Sequence, residues 1–186
     1  HAALGNRTAA AAWRAVEANL SAAIHAHLWD EARGFYFDRL SNGTLSTVEA
    51  VSGLLPMWLP DLPAGRLSRL LDALADPARF GTAVPLPSVA RRTPSFSTDM
   101  WRGPAWLNTN YHVALALRVQ NQTRAACALV RATLGAVQAN YLAHGVLFEF
   151  YDADGTHDPR TLLRKGARTG GVRDYHWTAA LTYVMA

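Results

Sequence analysis

Apolar residues recur every three or four positions along most of the chain. Over residues 8–28 they fall at Ala12, Trp13, Val16, Leu20, Ile24 and Leu28, the period of a helix with one apolar stripe. Thr8 stands where such a helix takes its N-terminal cap. The pattern breaks at DEARGFYFDRLSNG (30–43), where Phe35, Tyr36 and Phe37 precede the turn residues Ser41, Asn42 and Gly43. That order predicts a short hairpin-like excursion. A second helix is predicted over 47–59, closed by Pro60, and a third over 64–75, ending at Asp76-Pro77. Residues 77–103 are rich in Pro, Ser, Thr and Arg and have no period. A loop of that length in a compact domain usually carries a site. The fourth helix is predicted to start near Pro104, a favoured first-turn residue, and to run to Val119. The fifth covers 122–142, and the last runs from near Asp174 to the end.

This order predicts an all-α single domain over 1–186, with six helices in consecutive pairs and long loops between some of them. Pairs whose loops gather at one end suit a toroidal barrel of helices. No self-similar repeat of fixed period marks a solenoid.

Composition narrows the class. The chain has 186 residues, half of them hydrophobic and 17% charged, which suits one packed core and excludes a disordered chain. The formal charge is +4, carried by arginine, with Lys165 the single lysine. The arginines are scattered, with only short clusters such as Arg91-Arg92, so nucleic acid is not an expected partner. One cysteine, Cys127, precludes an internal disulfide and reads as a small core residue of an alanine-rich helix. No apolar run is long enough to span a membrane. The opening HAALGNRT has neither a basic n-region nor an initiator Met, so a signal peptide is not expected there and a processed product or a fragment is. Four N-x-S/T triplets, at Asn6, Asn19, Asn42 and Asn121, hint weakly at the secretory pathway. Asn19 lies inside a predicted helix, which argues against use of that triplet.

Three segments carry candidate chemistry. STDMWRGPAWLNTNY (97–111) sets Trp101 and Trp106 beside Arg102 and Asn108 at a helix mouth. Flat indoles suit the C–H faces of a sugar, and a guanidinium and a carboxamide suit its hydroxyls. Gly103 lets backbone approach a ligand, and Asp99 is a candidate cap or hydroxyl acceptor. The plainer alternative is two core tryptophans and an Arg102–Asp99 pair. In VLFEFYDADG (146–155), strand-like alternation places Glu149 opposite Phe148 and Phe150. A carboxylate among aromatics can act as a base or an acid. In DYHWTAAL (174–181), His176 and Trp177 open the last helix. The histidines lack metal-ligand spacing, and no phosphate loop, dinucleotide fingerprint or nucleophile elbow occurs. Neither metal nor cofactor is expected.

Together DMWRGPAWLNTNY, FEFYDADG and HWTAAL, in this order and spacing, resemble the C-terminal half of the glycoside hydrolase family 63 catalytic domain. LWDEARGFYFDRL (28–40) and PLPSVA (85–90) fit as well. That family includes processing α-glucosidases of N-glycans and bacterial hydrolases of glucosylglycerate and mannosylglycerate. The resemblance implies about half of an (α/α)6 barrel acting on an α-linked glucoside with inversion. It implies Glu149 as general base, and Trp101, Arg102, Gly103, Trp106, Asn108 and Tyr151 around the sugar, with His176 and Trp177 closing the wall. The family's general acid, an Asp in a Trp-Asp motif followed by Ser and Arg, has no match here. LWDEARG around Asp30 resembles it only superficially. Asp38, Asp99 and Asp152 are possible stand-ins, and the sequence selects none of them. Expected partners are a carbohydrate and either the missing half of the barrel or a second copy. A non-catalytic sugar-binding remnant and an all-helical interaction domain are the alternatives.

Overall fold

The computed structural model describes residue 3 and residues 5–186; the opening stretch thus lies partly outside the described residues. Among the described residues five α-helices carry the fold: α1 (Arg7–His27), α2 (Ala64–Ala75), α3 (Leu107–Val119), α4 (Thr123–His144) and α5 (His176–Met185). Between α1 and α2 lie the antiparallel strands β1 (Trp29–Asp30) and β2 (Phe35–Tyr36), with Trp29 opposite Tyr36 and Asp30 opposite Phe35. The predicted excursion is thus a tight hairpin, turned by Gly34 at φ 63°.

The second predicted helix is instead a 3₁₀ segment, Val51–Trp58. Pro56 lies inside it and withholds a donor from any α-helical ladder. Gly53 presses on β2, where a Cβ would stand 2.3 Å from both the Phe35 ring and the Tyr36 carbonyl oxygen. The segment buries Val51, Leu54 and Met57 between the hairpin and α3, so packing rather than propensity holds it.

Helix ends follow local chemistry. Asn6, not Thr8, caps α1, its Oδ1 accepting from Ala9 N at 3.0 Å; Thr8 is already helical. Helix α3 begins at Leu107 rather than near Pro104, because the chain just before it is drawn sideways. Ala105 exchanges backbone hydrogen bonds of 2.8 and 3.0 Å with Tyr151. Gly145, left-handed at φ 71°, closes α4.

The largest core cluster joins the hairpin (Phe35, Tyr36), the 3₁₀ segment (Leu54, Met57), Leu70 of α2 and Leu117 of α3. The long loop does not skirt this core. Residues 84–90 are buried, and their backbone groups find partners. Val84 N bonds Ala153 O, Leu86 N bonds Phe80 O and Ala90 N bonds Glu49 O. Glu49 is itself buried and pairs with Arg79 and Arg92.

Two expectations fail at the surface. Cys127 is exposed on α4, beside a groove of about 370 Å³ between α3, α4 and the end of α5, because alanine-rich helices carry no strong stripe to turn it inward. The stripe of α1 stays largely in solvent: Trp13 is 63% and Leu20 60% exposed, and only Ile24 and Leu28 pack on the core. Among the described residues no helix is long and apolar enough to cross a membrane.

Candidate active site

The tryptophans of the 97–108 segment stack. The Trp101 and Trp106 rings lie 3.9 Å apart and nearly parallel, at 7°. Trp106 is the inner member, 2% exposed, with its Nε1–H bonded to Met100 O and its ring tilted against Phe150 at 5.2 Å. Trp101 is the outer member, 44% exposed. A buried indole therefore backs an open one, and the open one lies at the rim of a cavity of about 510 Å³. Arg102, Ser88, Thr109, Val48 and Leu55 share that cavity. Apolar walls with a few hydroxyls and one cation suit a ligand with both C–H faces and polar groups.

The loop that presents Trp101 is tight. Ser97 N donates to Arg102 O and Arg102 N to Asp99 O, each at 2.6 Å. Met100 takes φ 29° inside it. Gly103 is buried, its N–H donating to Ser88 Oγ at 2.9 Å. A Cβ there would sit 1.8 Å from Ser97 O. The glycine thus serves the chain's contact with itself, not backbone approach to a ligand.

Glu149 precedes Phe150, the residue that packs on Trp106. It is 5% exposed, and its Oε2 accepts from Arg164 Nε at 3.0 Å and from Val172 N at 3.2 Å. Its strip runs alongside 172–175: Glu149 N bonds Val172 O, and Tyr175 N bonds Leu147 O. The expected two-faced alternation does not occur, because both sides of this strip are packed. Phe148, Glu149, Phe150 and Tyr151 are all buried. Phe148 and Tyr151 join one cluster with Leu107 and Val137, while Phe150 joins Trp106 and Leu162. Glu149 is not among the residues lining the Trp101 cavity.

The remaining sequence candidates divide. Tyr151 is 1% exposed and its hydroxyl accepts from Phe148 N, so it braces the strip and has no face for a ligand. Burial pushes its phenol up to about 12. Asn108 is half-buried in the first turn of α3, and its Oδ1 is enclosed with no partner among the described residues. His176 and Trp177 are exposed at the start of α5 and do not line the cavity. Their neighbour Tyr175 packs on the Trp106–Phe150 cluster instead. Its phenol is held above the ordinary tyrosine value by burial first and then by the Glu149 charge. Of the stand-in acids, Asp38 is exposed beyond the hairpin. Asp152 is consumed in a turn, accepting from Thr156 N and His157 N at 2.9 Å each. Asp99 is buried and bonded to Arg102. The plainer Arg102–Asp99 pairing is therefore present alongside the open tryptophan. Arg164 was invisible in the sequence, since it stands in no motif and acts from a loop; Tyr175 lies within DYHWTAAL, where His176 and Trp177 drew the attention instead. Among the described residues no group of three or more His, Cys, Asp or Glu is placed to hold a metal ion.

The sequence model of the mannosylglycerate hydrolase MGH1-like glycoside hydrolase domain matches residues 2–178. The chain belongs to glycoside hydrolase family 63. It is 37% identical over 95 residues to the mannosylglycerate hydrolase of Thermus thermophilus, an alignment covering 49% of this chain and 22% of that one. It is 31% identical over 148 residues to a probable mannosyl-oligosaccharide glucosidase of Schizosaccharomyces pombe, covering 72% of this chain and 17% of that one. A solved structure of the family 63 mannosylglycerate hydrolase from Thermus thermophilus, in complex with glucose, superposes with a TM-score of 0.65 at 30% identity. That match covers 90% of this chain and 38% of the other. The chain thus spans about a fifth of the length of these curated relatives. Its fold is that of part of an all-α toroid, as the helix pairing predicted.

Proposed function

We propose that this chain supplies the base-bearing part of the active site of an inverting α-glycosidase of family 63. The observation that carries this reading is the buried Glu149, held by Arg164 and Val172 N, on a strip whose next residue, Phe150, packs on Trp106 beneath the open Trp101 ring. In inverting hydrolysis one carboxylic acid protonates the leaving oxygen, and a carboxylate on the opposite ring face takes a proton from the attacking water. Glu149 takes the second role. Arg164 keeps its carboxylate oriented and charged-paired, as a base needs before the water arrives. Trp101 carries the sugar ring, and Arg102 meets its hydroxyls. The two relatives act, by their names, on a mannosylglycerate and a mannosyl-oligosaccharide. We take the substrate class to be an α-linked glucoside.

None of Asp38, Asp99 and Asp152 offers an open carboxyl beside the tryptophans, so we assign the general acid to the part of the toroid outside these 186 residues. The exposed Trp13, Val16 and Leu20 of α1 and Tyr183 and Val184 of α5 are the faces on which further helices would pack. The fragment reading and the apolar faces support each other on this point.

The test compares the chain, alone and joined to the rest of its toroid, on a chromogenic α-glucoside. The expected outcome is turnover only in the joined form, lost in Glu149→Gln while glucose binding persists. Sugar binding that depends on Trp101, with no turnover in either form, would make the protein a binding remnant. No binding at all would point to an interaction domain.

A further inference from the structure

Asp99 touches two parts of the site that arrive from distant stretches of chain. Its Oδ2 accepts from Arg102 Nη2 at 2.6 Å and from Gly166 N at 3.1 Å. Arg102 stands with Trp101 at the cavity. Gly166 belongs to the turn 164–167, and Arg164 of that turn pairs with Glu149 at 3.0 Å. The turn is closed by Arg164 N to Ala167 O at 2.8 Å and Ala167 N to Arg164 O at 3.2 Å. Lys165 and Gly166 take φ 55° and 80°, so both central residues are left-handed, the pattern of a type I′ turn. Such a turn has little freedom: fixing the Gly166 amide fixes the position from which Arg164 reaches the glutamate. The 98–100 strip is already tied to this loop, through Met100 N to Leu163 O and Leu163 N to Thr98 O at 3.0 Å each. Asp99 adds the side-chain tie.

The exposure of the partners is unequal. The Arg102 side chain is 61% exposed and that of Asp99 only 6%. A long arginine in solvent wanders among rotamers unless a fixed charge pins it, and a buried carboxylate at hydrogen-bond distance is such a charge. Asp99 Oδ1 is buried with no partner among the described residues. An unsatisfied carboxylate oxygen is a cost to the fold.

We infer that Asp99 is a positioning residue that holds Arg102 at the sugar face and the Arg164–Glu149 pair in a common register. The inference rests on the reading of that cavity as a sugar site and of Glu149 as base. Its consequence is that disturbing Arg102 moves Arg164 only when Asp99 is present.

The experiment is nitrogen-15 NMR of the 186-residue chain, reading the Nε–H of Arg164, the amides of Gly166 and Val172, and the indole Nε1–H of Trp101 and Trp106. In the ligand-free protein, Arg102→Leu is expected to shift the Arg164, Gly166 and Val172 signals. Arg102→Lys, which keeps a cation opposite Asp99, is expected to shift them far less. In an Asp99→Asn background the Arg102→Leu shift is expected to vanish. Asp99→Asn keeps the residue's size and a carbonyl for Gly166, so its fold should persist. Glucose titration then separates the two readings: Asp99→Asn should weaken glucose binding about tenfold through the freed Arg102. Equal Arg102→Leu shifts with and without Asp99, or none in either, overturn the positioning role whatever glucose does. Absence of any glucose effect on Trp101 in the unmodified chain overturns the sugar site, and the ligand-free cycle still decides Asp99 on its own.

Discussion

Single residues here divide into those that face a ligand and those that face the chain, and motif membership does not tell them apart. Trp101 and Trp106 share one motif, yet one is open and the other is enclosed under it. Trp101→Ala should abolish glucose-dependent change in the indole NMR spectrum and leave the melting temperature nearly unmoved. Trp106→Ala should cost about 3–5 kcal/mol of stability, since a fully packed indole against Phe150 and Leu162 leaves a cavity that cannot collapse. Denaturant unfolding of the two variants separates them. Gly103→Ala is expected to destabilise by about 1–3 kcal/mol or more, because the added methyl meets the Ser97 carbonyl, a backbone atom that cannot swing away. A Gly103→Ala protein that melts like the parent would return the glycine to a ligand-facing role.

At the scale of elements, periodicity read true where one helix face is packed and the flanking residues break the helix. The third predicted helix, 64–75, is α2 residue for residue, bounded by Pro63 before it and by Asp76 and Pro77 after it. The fifth and last predicted helices shift by only a few residues in α4 and α5. Periodicity misled where tertiary contacts outweighed it. The apolar run VSGLLPMW looks helical by composition and is wound tighter because Pro56 withholds a donor and Gly53 presses on the hairpin packed beside it. In α1 the stripe is genuine but unfilled. Replacing Trp13 and Leu20 with lysine should therefore leave the unfolding midpoint within about 0.5 kcal/mol of the parent. It should also reduce self-association seen by sedimentation. A marked loss of stability would mean that the α1 face packs on this chain after all.

For the whole molecule, the arginines are a feature of assembly rather than of surface charge. Arg79 and Arg92 meet Glu49, Arg91 meets Asp154 and Arg164 meets Glu149, linking segments distant in sequence, while Arg102–Asp99 and Arg160–Asp158 brace single loops. The Asp158 carboxyl is held down to about 2, first by its hydrogen bond from Arg160. At the alkaline end, burial raises the phenols of Tyr36 and Tyr151, the latter to about 12. The unfolded chain releases the Tyr151 proton near pH 10, whereas the folded chain keeps it to about 12. Stability from this group is therefore whole below pH 10 and falls as the pH rises through 12, by about 2–3 kcal/mol in all. Thermal melts across that window, with phenolate absorbance in parallel, should show the loss in the parent and a smaller one in Tyr151→Phe.

The residue order alone determined the helical class, most helix positions, the hairpin and the family motifs, because each is written in short-range spacing and side-chain type. Tertiary structure alone decided which tryptophan is open, why Gly103 is a glycine, and that Arg164 from a late loop holds Glu149. It also decided that Asp99 joins that loop to Arg102. The glycine depends on how its own loop folds back on Ser97, and the others on which distant segments come to lie against each other; a local pattern holds no information on either.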